Sequence, residues 1–173
     1  LGLKGTPTGL DYDPDSDRFL LTTGDGVYLA DGGLTRAERH AIVDVGYSVD
    51  LARFAGAAFL DAATVMAVSN NKSFVILRES DKADASKNFR HFRESFDRFD
   101  EVRRGRFSTV RARMMYVMSA AYDPTRQSIF TITVPNERSR GMVVSRFDRR
   151  DLTLSEEFVA RLSPEADVRL LGE

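Results

Sequence analysis

The sequence predicts a mainly β domain in which short strands form antiparallel four-stranded meanders, interrupted by one inserted amphipathic helix. Three observations lead to this prediction. Short runs rich in strand-forming residues alternate with turn sequences. The same order of strands and turns returns along the chain, and an aromatic-Asp-Pro sequence occurs twice within it. Between the second and third occurrences of the pattern, four Phe residues recur at helical spacing.

The first meander begins after Gly9. Its predicted strands are 10–12, 18–23, 27–30 and 39–45. Turn chemistry separates them: Asp13–Asp17 carries Pro14 at a position that favours a turn, and Gly24–Gly26 is a tight hairpin signal. Asp31, followed by two glycines, gives the third turn.

The same arrangement returns twice. The second unit has predicted strands at 57–60, 64–68 and 73–77, with a turn at Asn70–Lys72 in which Asn tolerates positive φ. The third unit has predicted strands at 116–122, 129–134 and 142–147, with turns at 123–127 and 148–151. A strand-rich repeat with an insertion before its last unit is therefore the simplest interpretation.

The first and third units align residue by residue, and the middle unit matches more loosely. Tyr12-Asp13-Pro14 matches Tyr122-Asp123-Pro124, and the strands that follow fall in register without a gap. In the middle unit Phe59 takes the place of the tyrosine. Tyr12 and Phe59 are 47 residues apart, within the span of a propeller blade, whereas Phe59 and Tyr122 are 63 apart, which is one period plus about 16.

An aromatic-Asp-Pro turn that opens a strand, followed by a hairpin and an outer strand, resembles the six-bladed β-propellers of the NHL, SdiA-regulated and gluconolactonase-like groups. The resemblance covers roughly residues 8–79 and 115–162. It implies a propeller architecture, and it says little about activity because many unrelated functions share this fold. Gluconolactonase-like propellers bind a divalent metal through Glu, Asn and Asp in the central channel. Asn70, Asn71, Asp50 and Asp123 do not match those ligand motifs, so the activity is not carried over.

The length limits the number of blades. A closed propeller has at least four blades, and 173 residues with this period and one insertion accommodate about three. We therefore expect residues 1–173 to form a single propeller-like domain, incomplete by itself, which is a fragment of a larger one or needs a partner to close.

The insertion, residues 80–107, is predicted to be helical and rich in Arg and Phe. Its aromatic residues are spaced 3, 4, 3, which places them on one helical face: Phe89, Phe92, Phe96 and Phe99. Asp84 or Ser86 can cap the start of this helix and Gly105 can close its end. The stripe either packs onto the sheets, which is the usual role of such a face, or forms a docking face for a partner or an anionic membrane.

A basic island coincides with the insertion. Residues 80–113 hold 10 basic and 6 acidic side chains, although the whole chain has a net charge of −1. The candidate partner-binding residues are Arg103, Arg104, Arg106, Arg111 and Arg113. Phe107 could stack on a base, but the near-neutral net charge and the presence of only four Lys argue against nucleic acid. Arg111 and Arg113 also fit the polar face of a strand.

Other residues that could carry chemistry have simpler explanations. Asp11, Asp13, Asp15 and Asp17 resemble a calcium loop, but an EF-hand needs Gly and Glu where Ser16 and Thr22 stand, so a hairpin turn with exposed acids is favoured. His40, in a predicted outer strand, and His91 have no evident carboxylate or serine partner in the sequence. No catalytic residue, metal site or cofactor is predicted.

Composition restricts the function classes further. The chain has no Cys and two His, which excludes disulfides, a thiolate nucleophile and Cys-based zinc sites. No apolar run approaches the roughly 18 residues that a membrane-spanning helix needs. The lack of Cys is compatible with an extracytoplasmic location, which we favour slightly over the cytoplasm.

These observations predict a non-catalytic binding module that contacts a protein partner, or another copy of itself, through its blade loops and the Arg/Phe-rich insertion. Two alternatives stay open. One is a fragment of a metal-dependent lactonase or esterase propeller, and the other is an oligomeric scaffold that pairs through exposed sheet edges. The sequence does not indicate a small-molecule ligand.

Overall fold

A computed structural model of the chain describes residue 3 and residues 5–24, 26–35, 37–40, 54–79, 99–109, 116–134 and 141–161. Within these ranges, twelve strands form three antiparallel sheets of four strands, each a meander in chain order. The first sheet consists of β1 (Pro7–Asp13), β2 (Arg18–Thr23), β3 (Gly26–Asp31) and β4 (Ala37–His40). The second consists of β5 (Phe54–Asp61), β6 (Thr64–Ser69), β7 (Ser73–Glu79) and β8 (Phe99–Arg106). The third consists of β9 (Tyr116–Asp123), β10 (Ser128–Val134), β11 (Gly141–Asp148) and β12 (Leu154–Arg161). The predicted mainly β class with four-stranded meanders is confirmed.

The cross-strand register repeats in the three sheets, as the alignment of the repeated units within the sequence predicts. The aromatic residue near the end of each inner strand faces the first apolar residue of the next strand: Tyr12–Phe19, Phe59–Val65 and Tyr122–Ile129. The turns that follow are alike as well. Asp17 and Gln127 have nearly the same left-handed backbone angle, φ 50° and 49°.

The middle sheet is buried on both faces, and it separates two apolar clusters. Alternate residues of a strand point to opposite faces, so neighbours such as Val65 and Met66 enter different clusters. One cluster joins the first and second sheets and includes Leu20, Phe59, Val65 and Val75. The other joins the second and third sheets and includes Met66, Val68, Ile129 and Phe147. The three sheets therefore stack face to face in chain order.

The inner strands β1, β5 and β9 contact one another, and small residues allow them to come close. A Cβ at Gly56 would lie 3.0 Å from the backbone nitrogen of Ala120, and a Cβ at Gly9 would lie 3.0 Å from the Cα of Gly56. A larger side chain at either position would push the inner strands apart.

Backbone hydrogen bonds tie consecutive sheets at equivalent places. The N–H of Phe54 donates to the carbonyl of Gly24 at 3.2 Å, and the N–H of Val117 donates to the carbonyl of Asn70 at 3.0 Å. In both cases the turn after the second strand of one sheet holds the start of the inner strand of the next. The two junctions between consecutive sheets therefore contain an equivalent backbone hydrogen bond.

The predicted helical insertion is wrong where the structure describes it. Residues 99–106 form β8, so Phe99 begins a strand, and Gly105, expected to end a helix, pairs with Phe74 of β7. The spacing of the Phe residues favoured a helix locally, but pairing with β7 satisfies backbone groups that an open edge would leave unpaired. Gly105 is needed there because a Cβ would lie 2.8 Å from the Phe74 ring. The rest of the insertion, including Phe89, Phe92, Phe96 and the proposed caps, lies outside the described residues.

Three smaller expectations are also corrected. Phe107 is 4% exposed and packs between the rings of Phe74 and Phe147, with centroid distances of 4.8 and 4.5 Å, so it cannot stack on a base. In the turn at 70–72, the residue with positive φ is Lys72 rather than an asparagine. No separate strand was predicted after residue 151, where β12 lies. The predicted fourth strand agrees with β4 only at residues 39–40, since 41–45 lie outside the described residues.

Candidate functional site

The candidate surface is the outer edge of the second sheet, where β8 carries three of the five arginines selected from the sequence. β8 pairs with β7 along one edge, and no other described strand pairs with its second edge. A register shift opposite Ile76 and Leu77 leaves Val102 as an extra residue, and this residue is 52% exposed. An exposed edge strand offers backbone donors and acceptors to a further strand. Arg111 and Arg113 lie outside the described residues.

Arg103 faces the third sheet. It stands opposite Ile76, which belongs to the cluster between the second and third sheets. Its guanidinium donates to the carbonyl of Arg150 at 3.1 Å and to that of Asp151 at 2.8 Å, both in the turn between β11 and β12. This bidentate contact makes Arg103 a connection between two sheets.

Arg104 faces the other way, because it stands opposite Val75 in the cluster between the first and second sheets. Its guanidinium forms an ion pair with Glu101 at 2.6 Å, supported by hydrogen bonds from Nε at 3.1 and 3.2 Å. Both side chains are partly exposed, so solvent screens the pair and its contribution to stability is small. The pair nevertheless holds the guanidinium at the surface of β8.

Arg106 lies at the end of β8 and belongs to a polar cluster that the sequence did not reveal. Its Nη2 donates to the carbonyl of Asn71 at 3.0 Å, and Lys72 Nζ bonds to Thr109 Oγ1 at 3.1 Å. Burial lowers the pKa of Lys72, the charge of Arg106 lowers it further, and Glu157 of the third sheet acts in the opposite direction. We call Asn71, Lys72, Arg106, Thr109 and Glu157 the Lys72–Arg106 cluster.

The cluster forms because β7 and β8 pair. Ser73 stands opposite Arg106, and the N–H of Phe107 donates to the carbonyl of Lys72 at 2.9 Å, which brings residues 72 and 106 together. This proximity would have followed from the sequence if β8 had been predicted as a strand antiparallel to 73–79. It was missed because a helix was predicted there instead.

The three arginines that the structure describes therefore do not form one surface. Of those described, Arg103 bonds to the third sheet, while Arg104 and Arg106 lie on the opposite side of β8 and present partly exposed cations along its edge. An arginine guanidinium has five donors in a planar fork that suits carboxylates. An incoming carboxylate can therefore meet Arg106 directly, whereas at Arg104 it would share the guanidinium with Glu101.

The aspartates that resemble a calcium loop have separate roles in the structure. Asp11 accepts a hydrogen bond from the backbone of Phe59, Asp13 accepts the N–H and hydroxyl of Ser16, and Asp17 accepts the phenol of Tyr12 at 2.9 Å. The bond to Asp17 raises the pKa of Tyr12 above its ordinary value. Among the described residues, no group of three or more His, Cys, Asp or Glu is arranged to hold a metal ion.

Within the described part of the chain, no helix is long and apolar enough to cross a membrane. His40 lies in β4, as predicted, and His91 is outside the described residues.

Comparisons with known proteins identify the fold of the chain but no family. No family model matches the chain, and no curated protein matches its sequence. Solved structures do match. The chain is similar to a structure of a nidogen/laminin complex, with a TM-score of 0.53, 11% identity, and coverage of 90% of this chain and 48% of that one. It is also similar to the β-propeller domain of Cps50 (Swd1) from Myceliophteria thermophila, with a TM-score of 0.50, 10% identity, and coverage of 90% and 43%.

A third similar structure is the PQQ-bound aldose sugar dehydrogenase of Streptomyces coelicolor, with a TM-score of 0.54, 15% identity, and coverage of 85% and 45%. The structural neighbours are β-propeller proteins, so the three sheets are blades of a propeller fold. At these identities the likeness extends to the fold alone. The chain spans slightly less than half the length of each of these neighbours.

Proposed function

We propose that this chain is a non-catalytic β-propeller binding module and that its partner is a protein, bound as an acidic, extended segment along the outer edge of β8. The observation that carries the proposal is the coincidence of an exposed edge strand with two partly exposed arginines on one of its sides. An extended segment can add to such an edge through main-chain hydrogen bonds, while its side chains meet those of the edge strand.

The charges determine which segment fits. Arg104 and Arg106 are two positions apart in the strand, so they project on the same side, and acidic residues at alternate positions of an added strand would meet them. Arg106 has one hydrogen bond among the described residues, to a neutral carbonyl, and keeps other donors for a carboxylate. The nearby Lys72 adds positive potential at the end of the edge.

The experiment uses a defined probe. A fluorescein-labelled peptide of alternating Glu and Val, about twelve residues long, is titrated with the 173-residue chain and followed by fluorescence anisotropy. We expect saturable binding that weakens as salt rises, and a peptide of alternating Lys and Val should bind at least tenfold more weakly. Equal binding of both peptides would overturn the proposal, as would no binding of either.

Two variants of β8 and a matched control test whether the peptide binds at this strand. Arg104→Gln and Arg106→Gln remove the charge at each position, and each should weaken binding of the Glu–Val peptide several-fold. Arg150→Gln is the control, because its side chain is 89% exposed and lies in a turn of the third sheet. A loss of the same size in Arg150→Gln would assign the binding to general charge attraction rather than to β8.

The lactonase or esterase alternative, which the gluconolactonase-like resemblance suggests, is a separate proposal. Metal analysis of the purified protein and a lactone or ester hydrolysis assay test it directly. Bound metal together with turnover that a chelator abolishes would favour the enzyme over the binding module.

A further inference from the structure

The two end sheets carry apolar side chains on the faces turned away from the middle sheet. In the first sheet, Leu20 points to the middle sheet, so its neighbours Phe19 and Leu21 point outward, and their cross-strand partners lie on the same face. We call this the leading face; it comprises Leu10, Tyr12, Phe19 and Leu21. Leu10 is 64% and Tyr12 44% exposed, whereas Tyr28, further along the same row, is buried.

The third sheet has a corresponding face. Ile129 points to the middle sheet, so Phe130 and Ile132 point outward. The trailing face comprises Phe130, Ile132, Val144 and Phe158, and the last three form one cross-strand row. Phe158 is 48% exposed, while Phe130, Ile132 and Val144 are half-buried.

The same positions are fully buried where one sheet packs on another. Phe19 of the leading face corresponds by register to Val65 and Ile129, which are 3% and 0% exposed at the two internal junctions. Phe130 of the trailing face corresponds to Leu20 and Met66, which are 1% and 0% exposed. The leading and trailing faces are therefore the two halves of a junction that already occurs twice within the chain.

We infer that the leading face of one chain packs on the trailing face of a second copy, and that two copies close a six-bladed ring. A closed propeller has at least four blades, and the described part of this chain has three sheets. Each neighbour compared above is slightly more than twice as long as the part this chain covers. Two copies of this chain together would match the length of one such neighbour.

The geometry is self-consistent. A twofold axis along the propeller axis brings the leading face of each copy onto the trailing face of the other, so that the ring has two new, identical junctions and no open face. Closure removes Leu10, Tyr12 and Phe158 from water, which is the driving force for association. This interface involves the faces of the first and third sheets and is independent of the β8 edge, so its test does not depend on the peptide-binding proposal.

The first test is the mass of the 173-residue chain in solution. Sedimentation equilibrium over a concentration series should give a species of twice the mass of one chain. Leu10→Glu changes the leading face and Phe158→Glu the trailing face, and each should weaken dimerisation at least tenfold because a charge is then buried in both junctions. Leu34→Asp is the control, because Leu34 is 42% exposed in a turn away from both faces and adopts a positive φ that Asp tolerates.

A mixing experiment distinguishes this ring from any other dimer. In a mixture of the two variants, the unchanged leading face of the Phe158→Glu chain can meet the unchanged trailing face of the Leu10→Glu chain. We therefore expect a mixed dimer with one intact junction, although each variant alone dimerises at least tenfold more weakly than the unchanged chain. Circular dichroism of each variant establishes that the sheets are retained.

Two results would overturn the inference. A chain that stays monomeric at every concentration would mean that the two faces do not bind a second copy, and would favour further blades of a longer polypeptide as their cover. If both Glu variants still dimerise as strongly as the unchanged chain, or if their mixture does not restore association, the interface lies elsewhere. If both face variants unfold, Tyr12→Ser and Val144→Ser provide the same test with smaller changes.

Discussion

The carboxylate of Asp11 accepts a hydrogen bond at 2.8 Å from the backbone N–H of Phe59, 48 positions later in the chain. Asp11 lies in β1 and Phe59 in β5, so the bond ties the inner strands of the first two blades. Asp11 therefore has a structural role in joining blades, which its place in an acidic turn sequence did not suggest. Phe59 is also the residue that occupies the repeated aromatic position in the second blade.

Replacing Asp11 with Ala should destabilise the protein. The Phe59 amide would lose its acceptor in a partly buried site, and an unsatisfied buried donor costs about 1–3 kcal/mol. The free energy of unfolding from urea denaturation measures the effect. Asp15→Ala is the matched control, because Asp15 is exposed in the adjoining turn and its loss should change stability by less than about 0.5 kcal/mol. Equal losses in the two variants would contradict the assigned role of Asp11.

Adding one methyl group at Gly56 should force the inner strands of the second and third blades apart. The new Cβ would stand 3.0 Å from the backbone nitrogen of Ala120, and backbone yields less readily than a flexible side chain. Overpacking of this kind costs about 1–3 kcal/mol, which thermal or urea unfolding of Gly56→Ala would detect. Gly33→Ala serves as control, since its Cβ would meet nothing closer than 3.5 Å. An unchanged stability in Gly56→Ala would mean that the inner strands do not pack as closely as described.

Two methionines provide a matched test of the core between the second and third blades. Met66 is fully buried, at 0% exposure, among residues of both blades, whereas Met118 is 55% exposed. Met66→Ala should lower the free energy of unfolding by about 2–5 kcal/mol through lost burial and the cavity left behind. Met118→Ala should lower it by less than about 0.5 kcal/mol. A similar cost at both positions would contradict the packing of the third blade on the second.

Acid should weaken the fold through two turn carboxylates of the third blade. The Arg126 side chain lowers the pKa of Asp123 below its ordinary value of 3.8, and the backbone N–H of Thr153 lowers that of Asp151. A lowered pKa means that the folded protein binds the proton more weakly than the unfolded chain. The stabilising contribution is therefore complete above about pH 4 and is lost as pH falls through the lower, folded-state values.

Urea midpoints measured from pH 7 to about pH 2.5 test this dependence. In the double variant Asp123→Asn/Asp151→Asn, the midpoint should be lower than that of the unchanged chain at neutral pH, and the two should converge in acid. Asp15→Asn, in an exposed turn of the first blade, should reproduce the unchanged profile. A double variant whose midpoint falls with acid as steeply as that of the unchanged chain would show that these two carboxylates do not carry the pH dependence.

Much of the blade could be predicted from the sequence. The paired Tyr-Asp-Pro sequences predicted equivalent turns, and the structure places Asp17 and Gln127 at φ 50° and 49° in them. In both turns an aspartate accepts the N–H of the residue three positions later, from Ser16 to Asp13 and from Arg126 to Asp123. Such features depend on side chains that bond to their own neighbourhood, so a local pattern is enough to indicate them.

The insertion shows where local patterns fail. A spacing of 3, 4, 3 among Phe residues favoured a helix up to Gly105, yet residues 99–106 complete the second blade as β8. The strand exists because β7 presents an open edge, and that edge is brought to β8 by the fold rather than by adjacent residues. For the same reason, the proximity of Lys72 to Arg106 and the contact of Arg103 with the third blade were missed.

The sequence by itself determined the class of fold, the positions of most strands and turns, and the repeat that makes the sheets equivalent, because these depend on periodicity and on residues within one hairpin. Tertiary structure alone decided what each side chain does once the blades stack. In the folded chain, Arg103 bonds to the third blade, and Asp11 accepts a hydrogen bond from an amide 48 positions away. The leading and trailing faces have no neighbouring sheet among the described residues. The physical reason is that burial and hydrogen bonding between blades join residues far apart in the chain. The sequence therefore predicted the repeated units, and the structure identified the apolar faces that the first and third sheets turn away from the middle one.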